Sequence, residues 1–244
     1  MPRFFADAAL CRGATVALPD NVVRHLHVLR YRAGEEIALF NGNGREYAAV
    51  LSRVDKRAAE AEILDERPSE NESPLAVTLV QAVSAGERMD FTLQKSVELG
   101  VAAVIPVISS RSVARPEGER AQKRVARWQE IVVSACEQSG RCVVPEVRPL
   151  LPYAQALAAL PDADAKLLMS LNNRQSLRDI PPPQSVILMA GPEGGWTREE
   201  EEAAFAADFS GLTLGRRVLR TETAALAALA AMQAKHSTIA AERA

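Results

Sequence analysis

The chain has 244 residues, of which 48% are hydrophobic and 25% are charged, and its formal net charge at pH 7 is -2. This balance is typical of a folded globular protein, and it excludes a strongly basic protein whose whole surface attracts nucleic acid. No stretch reaches the roughly 18 consecutive apolar residues of a membrane-spanning helix. The N-terminus also lacks a signal-peptide pattern, so we expect a cytoplasmic protein.

The cysteines and the paired histidines do not predict a disulfide framework or a metal site. Cys11, Cys136 and Cys142 form no even set, and no two of them have CxxC spacing. We interpret them as reduced thiols, and no activating neighbour in the sequence favours a catalytic cysteine. His25 and His27 have no carboxylate or cysteine partner at a suitable spacing, so we expect no metal.

The N-terminal part of the chain alternates short apolar runs with turns. Residues 36–40 and 47–51 are predicted strands, and the sequence Asn-Gly-Asn-Gly at 41–44 is a strong turn signal between them. Residues 59–64 alternate in polarity and predict a third strand. Several short strands of this kind are typical of a small β-barrel. The polar, proline-containing stretch 66–74 then predicts a linker.

After this linker the pattern changes to alternating strands and helices. The predicted strands are residues 75–80, 104–108, 166–171, 185–190 and 212–214. Met89, Leu93 and Val97 repeat at helical spacing before Gly100, and a long amphipathic helix is centred on Trp128. Such alternation predicts an α/β domain with a mainly parallel sheet covered by helices on both faces. We therefore predict two domains, residues 1–72 and 73–244.

A glycine-rich segment, residues 190–195, follows one of the buried strands. Thr197 and Glu200 have the spacing of a capping box, so a helix is predicted to begin directly after the loop. Open α/β sheets bind ligands at this edge, and glycines let the backbone approach a ligand closely. The sequence alone leaves a ligand-binding loop and a simple tight turn equally open.

A second loop carries three arginines, Arg216, Arg217 and Arg220, just after the predicted strand 212–214. Thr221 or Thr223 can cap the next helix, and Glu222 suits its positive end. That helix is nearly all apolar over residues 224–232, which is typical of a helix buried in a core or between subunits. The arginines fit either a solvated loop or an anionic partner.

Two further segments are locally basic. Residues 109–127 hold six Lys or Arg side chains against two glutamates, and five arginines lie in the first 34 residues. Such clusters can contact phosphates, although solvated helix faces often have the same composition. A small barrel with a basic edge suits RNA, which proteins can recognise by shape and by phosphate contacts.

Five segments together resemble the RsmE family of 16S ribosomal RNA uracil-N3 methyltransferases, almost from end to end and in the same order. They are His25 to Arg30 with Gly34, Lys95 to Val101 with Ile105 and Pro106, Glu137 to Arg141 with Pro145, Gly191 to Gly195, and Leu214 to Ala224. The last two in combination are specific to the family. Trp196 stands where the family often has another apolar residue.

This resemblance implies a PUA-like β-barrel followed by a SPOUT methyltransferase domain with a C-terminal trefoil knot. It also implies a homodimer that acts on 16S ribosomal RNA within the small ribosomal subunit. The implied cofactor is S-adenosylmethionine, held by three loops, with no metal and no membrane involved. The cofactor-binding residues carried over are Leu171, Gly191, Glu193, Gly195, Leu214, Gly215, Val218, Leu219 and Thr223.

Methylation of uracil at N3 requires that the N3 proton leave and that the resulting negative charge be stabilised. We hypothesise that Arg220 stabilises this charge, and that Glu222 orients Arg220 or accepts the proton through water. The predicted RNA-binding residues are His25, Arg30, Arg111, Arg115, Lys123, Arg124 and Arg141.

Three rival functions remain open from the sequence. A non-catalytic RNA-binding or ribosome-assembly factor would use the same barrel and basic segments, but it would not need the paired glycine loops. A related knotted methyltransferase acting on transfer RNA differs mainly in the N-terminal motif and the Leu-Arg-Thr-Glu-Thr signature. A phosphate-dependent α/β enzyme is disfavoured, because residues 199–202 place four glutamates at the start of the predicted helix.

Overall fold

The computed structural model describes residues 1–172 and 174–243. The chain divides into two compact units, the first formed by Met1–Glu72 with Val133–Val144 and the second by Ser73–Val132 with Pro145–Ala244. Each unit has its own sheet. The segment Val133–Val144 belongs to the first unit although it lies well beyond the predicted linker.

The first unit is built on a five-stranded sheet with one helix of its own. Its elements are β1 (Arg3–Phe5), β2 (Thr15–Ala17), α1 (Asp20–Leu29), β3 (Glu36–Phe40), β4 (Arg45–Val54) and β5 (Ala59–Pro68). The strand order is β1-β3-β4-β5-β2, in which the β1–β3 pair is parallel and the other pairs are antiparallel. The hairpin predicted around 41–44 is confirmed, with β3 and β4 as its arms.

Two features of the first unit differ from the predictions. β5 continues to Pro68, so the predicted linker beginning at residue 66 is wrong there, because the ten-residue β4 pairs with β5 along its whole length. Helix α1 was not predicted. Its signal was present, since Val22, Val23 and Leu26 form a buried apolar face at helical spacing.

The second unit contains an eight-stranded sheet in which every pair is parallel. Its strands are β6 (Ala76–Ala82), β7 (Val101–Ile108), β8 (Glu146–Val147), β9 (Leu151–Pro152), β10 (Ala165–Met169), β11 (Arg174–Ser176), β12 (Ser185–Ala190) and β13 (Ser210–Thr213). The order is β11-β13-β10-β12-β6-β7-β8, and β9 also pairs with β7. The predicted parallel α/β sheet is confirmed.

Five α-helices and a short 3₁₀ helix over Leu177–Asp179 accompany these strands in the described part of the chain. They are α2 (Glu87–Glu98), α3 (Gly118–Ser139), α4 (Tyr153–Ala158), α5 (Arg198–Ala206) and α6 (Thr221–Arg243). Helix α3 contributes its residues up to Val132 to the second unit and its last turns to the first.

The apolar pattern of the strands explains this layered arrangement. Every residue of β12 from Val186 to Ala190 is buried, which requires cover on both faces of the sheet. Ile187 and Met189 pack in one cluster with residues of α4 and α5. Helices α2 and α6 pack against each other, α2 contacts β7, and α6 contacts β6 and β12.

The edge of the sheet that matters for function lies where β10, β12 and β13 end. β10 pairs with both β12 and β13, so the three strands are neighbours and their carboxyl ends lie at one edge. In parallel α/β sheets the loops at this edge form the ligand site. Residues 170–172 follow β10. The glycine loop, residues 191–196, follows β12, and the arginine loop, residues 214–220, follows β13.

Candidate functional site

A cavity of about 720 Å³ lies between these three segments, within the second unit. Its volume is in the range of small-molecule sites in proteins. The segment after β10 lines it with Ser170 to Asn172, the loop after β12 with Gly191 to Trp196, and the loop after β13 with Leu214 and Val218 to Glu222. The cavity is therefore built from the three segments that follow β10, β12 and β13 at one edge of the sheet.

The glycine loop is held in position by side chains from other elements. Thr221 of α6 donates its hydroxyl hydrogen to the Gly191 carbonyl. Arg111 donates to the carbonyls of Gly194, at 2.8 Å, and Trp196, at 3.1 Å. The loop thus enters the binding site with its backbone already ordered, which reduces the cost of binding a ligand.

Glu193 anchors the same loop to the segment after β6. Its Oε1 accepts hydrogen bonds from the Ala85 amide at 2.9 Å and from Arg88 at 3.1 Å. Desolvation by burial would raise the pKa of Glu193, but these hydrogen bonds and the Arg88 charge outweigh it and lower the pKa below its ordinary value. The carboxylate is therefore ionised and committed to this contact at neutral pH.

The glycines of this loop are required for different reasons. A Cβ at Gly191 would lie 3.2 Å from the Trp196 ring, and a Cβ at Gly194 would lie 3.2 Å from Arg111. Their small size therefore makes room for side chains of the protein itself, which the sequence interpretation did not anticipate. Gly195 instead has φ +69° with open space around it, so its backbone conformation is what favours glycine there.

The segment after β10 is held by Glu201, which lies on α5. Its Oε1 accepts from the Ser170 hydroxyl at 2.6 Å, and its Oε2 accepts from the Asn172 side-chain amide at 2.7 Å. The Ser170 hydroxyl in turn accepts from the Asn172 backbone amide at 2.9 Å. One carboxylate therefore fixes both polar side chains of a cavity wall.

Arg220 and Glu222 both line the cavity. Arg220 is exposed, and Glu222 Oε2 is buried with no hydrogen-bond partner among the described residues. No ion pair joins the two side chains in the described part of the chain, so the hypothesis that Glu222 orients Arg220 finds no support. The expected helix cap is also wrong, because α6 begins at Thr221 and the Thr221 hydroxyl bonds to Gly191.

The structure brings most of the residues predicted to bind a cofactor to this cavity. Leu171, Gly191, Glu193, Gly195, Leu214, Val218 and Leu219 line it, whereas Gly215 and Thr223 do not. Two further lining residues, Trp196 and Glu201, lie outside the three loops that the resemblance implied, whereas Met169, Ser170 and Arg217 lie within them. The sequence pattern did indicate a position near the sheet edge for Met169 and Ser170, because they lie near the end of the predicted strand 166–171. Nothing in the sequence pattern indicated that Glu201 reaches the cavity.

Two of the predicted RNA-binding residues, Arg111 and Arg141, bond to groups of the protein that are distant in the sequence. Arg111 supports the glycine loop, as described above. Arg141 is 5% exposed and donates to Glu72 at 2.6 Å. Burial and pairing favour a structural role for Arg141 within the first unit over contact with a phosphate.

The other predicted RNA-binding residues lie nearer the surface. His25 and Arg30 are exposed in the first unit, and Arg30 has φ 62° at the end of α1. In the second unit Arg115 donates to the carbonyls of Ser110 and Ser112. Lys123 pairs with Glu119, and Arg124 lies 5.9 Å from the centre of the Trp128 ring.

The cysteines have no catalytic environment. All three are free thiols, and Cys136 and Cys142 are buried. Burial raises the pKa of Cys136 to about 12, so its thiol is protonated at neutral pH. Among residues 1–172 and 174–243 we find no group of three His, Cys, Asp or Glu side chains that could hold a metal ion. None of the described helices is long and apolar enough to cross a membrane.

Comparison with known protein families identifies both units of the chain. A model described as an RNA methyltransferase domain matches residues 71–233, and one described as an RNA methyltransferase PUA domain matches residues 18–64. The first match covers most of the second unit and includes the whole cavity. The second covers α1 and the hairpin strands of the first unit.

Individual relatives are similar over nearly the whole chain. Ribosomal RNA small subunit methyltransferase E of Synechocystis is 32% identical over 91% of this chain and 73% of its own length. The protein of the same name from Bacillus subtilis is 29% identical over 95% and 96%. The crystal structure of a ribosomal RNA small subunit methyltransferase E from Neisseria gonorrhoeae bound to S-adenosyl methionine is 58% identical, with a TM-score of 0.93 over 96% and 98% of the two chains.

Proposed function

Because the chain belongs to the RNA methyltransferase family, we propose that it transfers a methyl group from S-adenosylmethionine to N3 of a specific uridine in 16S ribosomal RNA. The observation that carries this proposal is the cavity formed where β10, β12 and β13 end. The related Neisseria gonorrhoeae enzyme was crystallised with this cofactor. We further propose that the substrate is the RNA within the small ribosomal subunit, in the cytoplasm.

The residues of the cavity fit this cofactor. The cavity has an apolar wall of the kind that accepts an adenine ring, formed by Leu171, Leu214 and Leu219. Glu222 Oε2 is a buried acceptor without a partner among the described residues, and a ligand with donors or positive charge would satisfy it. We infer that the loops of this cavity hold the cofactor.

When bound, the cofactor supplies an activated methyl group on a sulfonium, so the protein has mainly to position the uridine and manage one proton. The N3–H of uracil becomes nucleophilic only as its proton leaves. Arg220 stabilises the negative charge that develops on the base. Glu222 accepts the proton through water, and its unpartnered buried oxygen leaves it able to do so. The two side chains act separately, because no ion pair between them is present among the described residues.

We also propose that the first unit, Met1–Glu72 with Val133–Val144, is a PUA-like β-barrel that binds RNA, and that the second unit is a SPOUT domain with a trefoil knot. Support for the knot comes from α6, whose Thr221 bonds to Gly191 while Lys235 donates to the carbonyls of Leu177 and Ile180. We propose that the protein acts as a homodimer, as the family resemblance implies.

We propose RNA contacts for basic residues of each unit. In the first unit these are His25 and Arg30, which are exposed on and after α1. In the second unit they are Arg115, Lys123 and Arg124, near and on α3. Arg111 and Arg141 are better explained by the contacts that they make within the protein.

The test is methyl transfer from labelled S-adenosylmethionine to small ribosomal subunits from a strain lacking this gene, followed by nucleoside mass spectrometry. We expect 3-methyluridine. Label in another nucleoside, or in transfer RNA, would keep the fold and the cofactor but contradict the proposed substrate. Failure of both methyl transfer and calorimetric cofactor binding would favour an RNA-binding factor.

Replacing Arg220 tests its proposed role at the reacting base. Arg220→Ala should lower the single-turnover rate by about a hundredfold, the typical effect of losing one charge-stabilising donor, with little change in cofactor affinity. Arg216→Ala, which removes an arginine that does not line the cavity, is the matched control. Full single-turnover activity of Arg220→Ala would exclude the role.

Glu222→Gln should lower the single-turnover rate, because a side-chain amide cannot accept the N3 proton. An unchanged rate would exclude Glu222 as the proton acceptor.

A further inference from the structure

The cavity wall carries an excess of positive charge. Its lining includes five arginines and three glutamates: Arg88, Arg111, Arg198, Arg217 and Arg220 against Glu193, Glu201 and Glu222. No lysine or aspartate is among the described lining residues. The charges are not all equally available, however, because several of these side chains are engaged with other groups of the protein.

Three of the five arginines have partners in the protein. Arg88 pairs with Glu193, and Arg198 pairs with Glu202. Arg111 donates to two backbone carbonyls of the glycine loop. Their donors are therefore at least partly used within the protein.

Arg217 and Arg220 differ from these three. Neither side chain has an ion-pair partner among residues 1–172 and 174–243, and both are exposed. Val218, beside Arg217, is 78% exposed, so this part of the cavity wall is open to a large partner. Arg216 has the same charge and is also exposed, but it does not line the cavity.

The free positive charge of Arg217 and Arg220 matches an RNA phosphate better than it matches the proposed cofactor. S-adenosylmethionine carries a net positive charge at neutral pH, because its sulfonium and ammonium groups outnumber its carboxylate. Unpaired arginines close to it would repel it. A phosphodiester group has the opposite charge, and its oxygens match the planar fork of a guanidinium.

We infer that Arg217 binds a backbone phosphate of the RNA substrate at the cavity, beside the nucleotide that is methylated. This inference rests on the proposed function and deepens it. Arg220 is assigned to the reacting base, and Arg217 holds the strand that presents the base. A phosphate contact at this point fixes register and carries no sequence information of its own.

The experiment compares Arg217→Gln with Arg216→Gln, which removes the same charge from the neighbouring position. Binding of a short fluorescein-labelled oligouridylate is measured by anisotropy over a series of salt concentrations. Arg217→Gln should weaken binding several-fold at low salt and reduce the slope of log K against log salt by about 0.7, the value for one phosphate contact on a single strand. Arg216→Gln should leave the slope unchanged. Arg217→Lys, which keeps the positive charge, should give a slope close to that of the wild type.

If Arg217→Gln and Arg216→Gln weaken oligouridylate binding equally, the inference is overturned, because the loss would then reflect overall charge and not a phosphate contact at Arg217. Calorimetry with S-adenosylmethionine gives the second readout, and we expect Arg217→Gln to keep the wild-type Kd or lower it. A raised Kd would assign Arg217 to the cofactor carboxylate and also overturn the inference. If the wild-type protein makes no 3-methyluridine, the proposed function fails, while the difference between the two variants in oligouridylate binding still decides the phosphate contact.

Discussion

At the scale of single residues, Glu201 shows how one carboxylate can order a wall of the cavity. Its carboxylate accepts hydrogen bonds from Ser170 and Asn172, the two polar residues of one wall. Glutamine in its place could accept only one of them, and its amide group would face the Asn172 amide. Glu201 is therefore a positioning residue for the segment 170–172, one of the three that we propose hold the cofactor.

Glu201→Gln is expected to raise the Kd for S-adenosylmethionine about tenfold, because a hydrogen bond to a charged acceptor contributes roughly 1.5 kcal/mol. The rate constant at saturating cofactor should change less than KM, since no group at the reacting base is altered. Glu202→Gln, on the same helix but in an exposed pair with Arg198, is the matched control. Identical calorimetric affinities for the two variants would contradict the positioning role.

At the scale of elements, the start of α5 is stabilised by hydrogen bonds between neighbouring residues. Its capping box is complete, with Thr197 accepting from the Glu200 amide and Glu200 accepting from the Thr197 amide at 2.9 Å. Glu200 also accepts from the Ser110 amide at 2.7 Å, so the start of α5 is joined to the segment after β7. Since the glycine loop ends where α5 begins, the cap orders the loop as well as the helix.

Thr197→Ala should lower the free energy of unfolding by about 1 kcal/mol, the usual cost of removing an N-cap hydroxyl. The measurement is urea unfolding at equilibrium, and Thr197→Ser, which keeps the hydroxyl, is the control. We expect the serine variant to resemble the wild type. An alanine variant as stable as the serine variant would show that the cap does not limit the stability of this unit.

At the scale of the whole molecule, stability should depend on pH through carboxylates that the fold keeps ionised. Glu193 is the example within the cavity. Its folded-state pKa lies below the ordinary value of 4.5, because the hydrogen bonds from Ala85 and Arg88 outweigh desolvation. A depressed pKa contributes stability above the unfolded value, and that contribution is lost as the pH falls through the folded value.

Wild-type stability should therefore fall as the pH drops below about 4.5, and Glu193→Gln should show a smaller fall over the same range. Urea unfolding at neutral and acid pH measures both. Glu202→Gln, which removes an exposed carboxylate of α5, is the control and should keep the wild-type pH dependence. A Glu193→Gln protein with the same acid sensitivity as the wild type would show that this contact does not contribute.

The sequence by itself determined the features that depend on neighbouring residues. The apolar runs at 185–190 and 104–108, the turn at 41–44 and the capping box at Thr197 all appear in the structure where the pattern placed them. Each of these signals is local, since strand burial, turn conformation and helix capping are decided within a few residues. Seven of the nine cofactor-binding residues that the family resemblance implied line the cavity, and their contact with the cofactor stays a prediction.

Only the tertiary structure decided which charged residues are free to act. Arg111 bonds to a carbonyl 83 positions away, and Arg141 bonds to a carboxylate 69 positions away, so no local pattern could show that both are engaged. The same applies to Glu201, which reaches Ser170 across 31 positions. Charge and spacing indicate that an arginine can bind an anion, but the pairing of its guanidinium depends on which distant elements fold beside it.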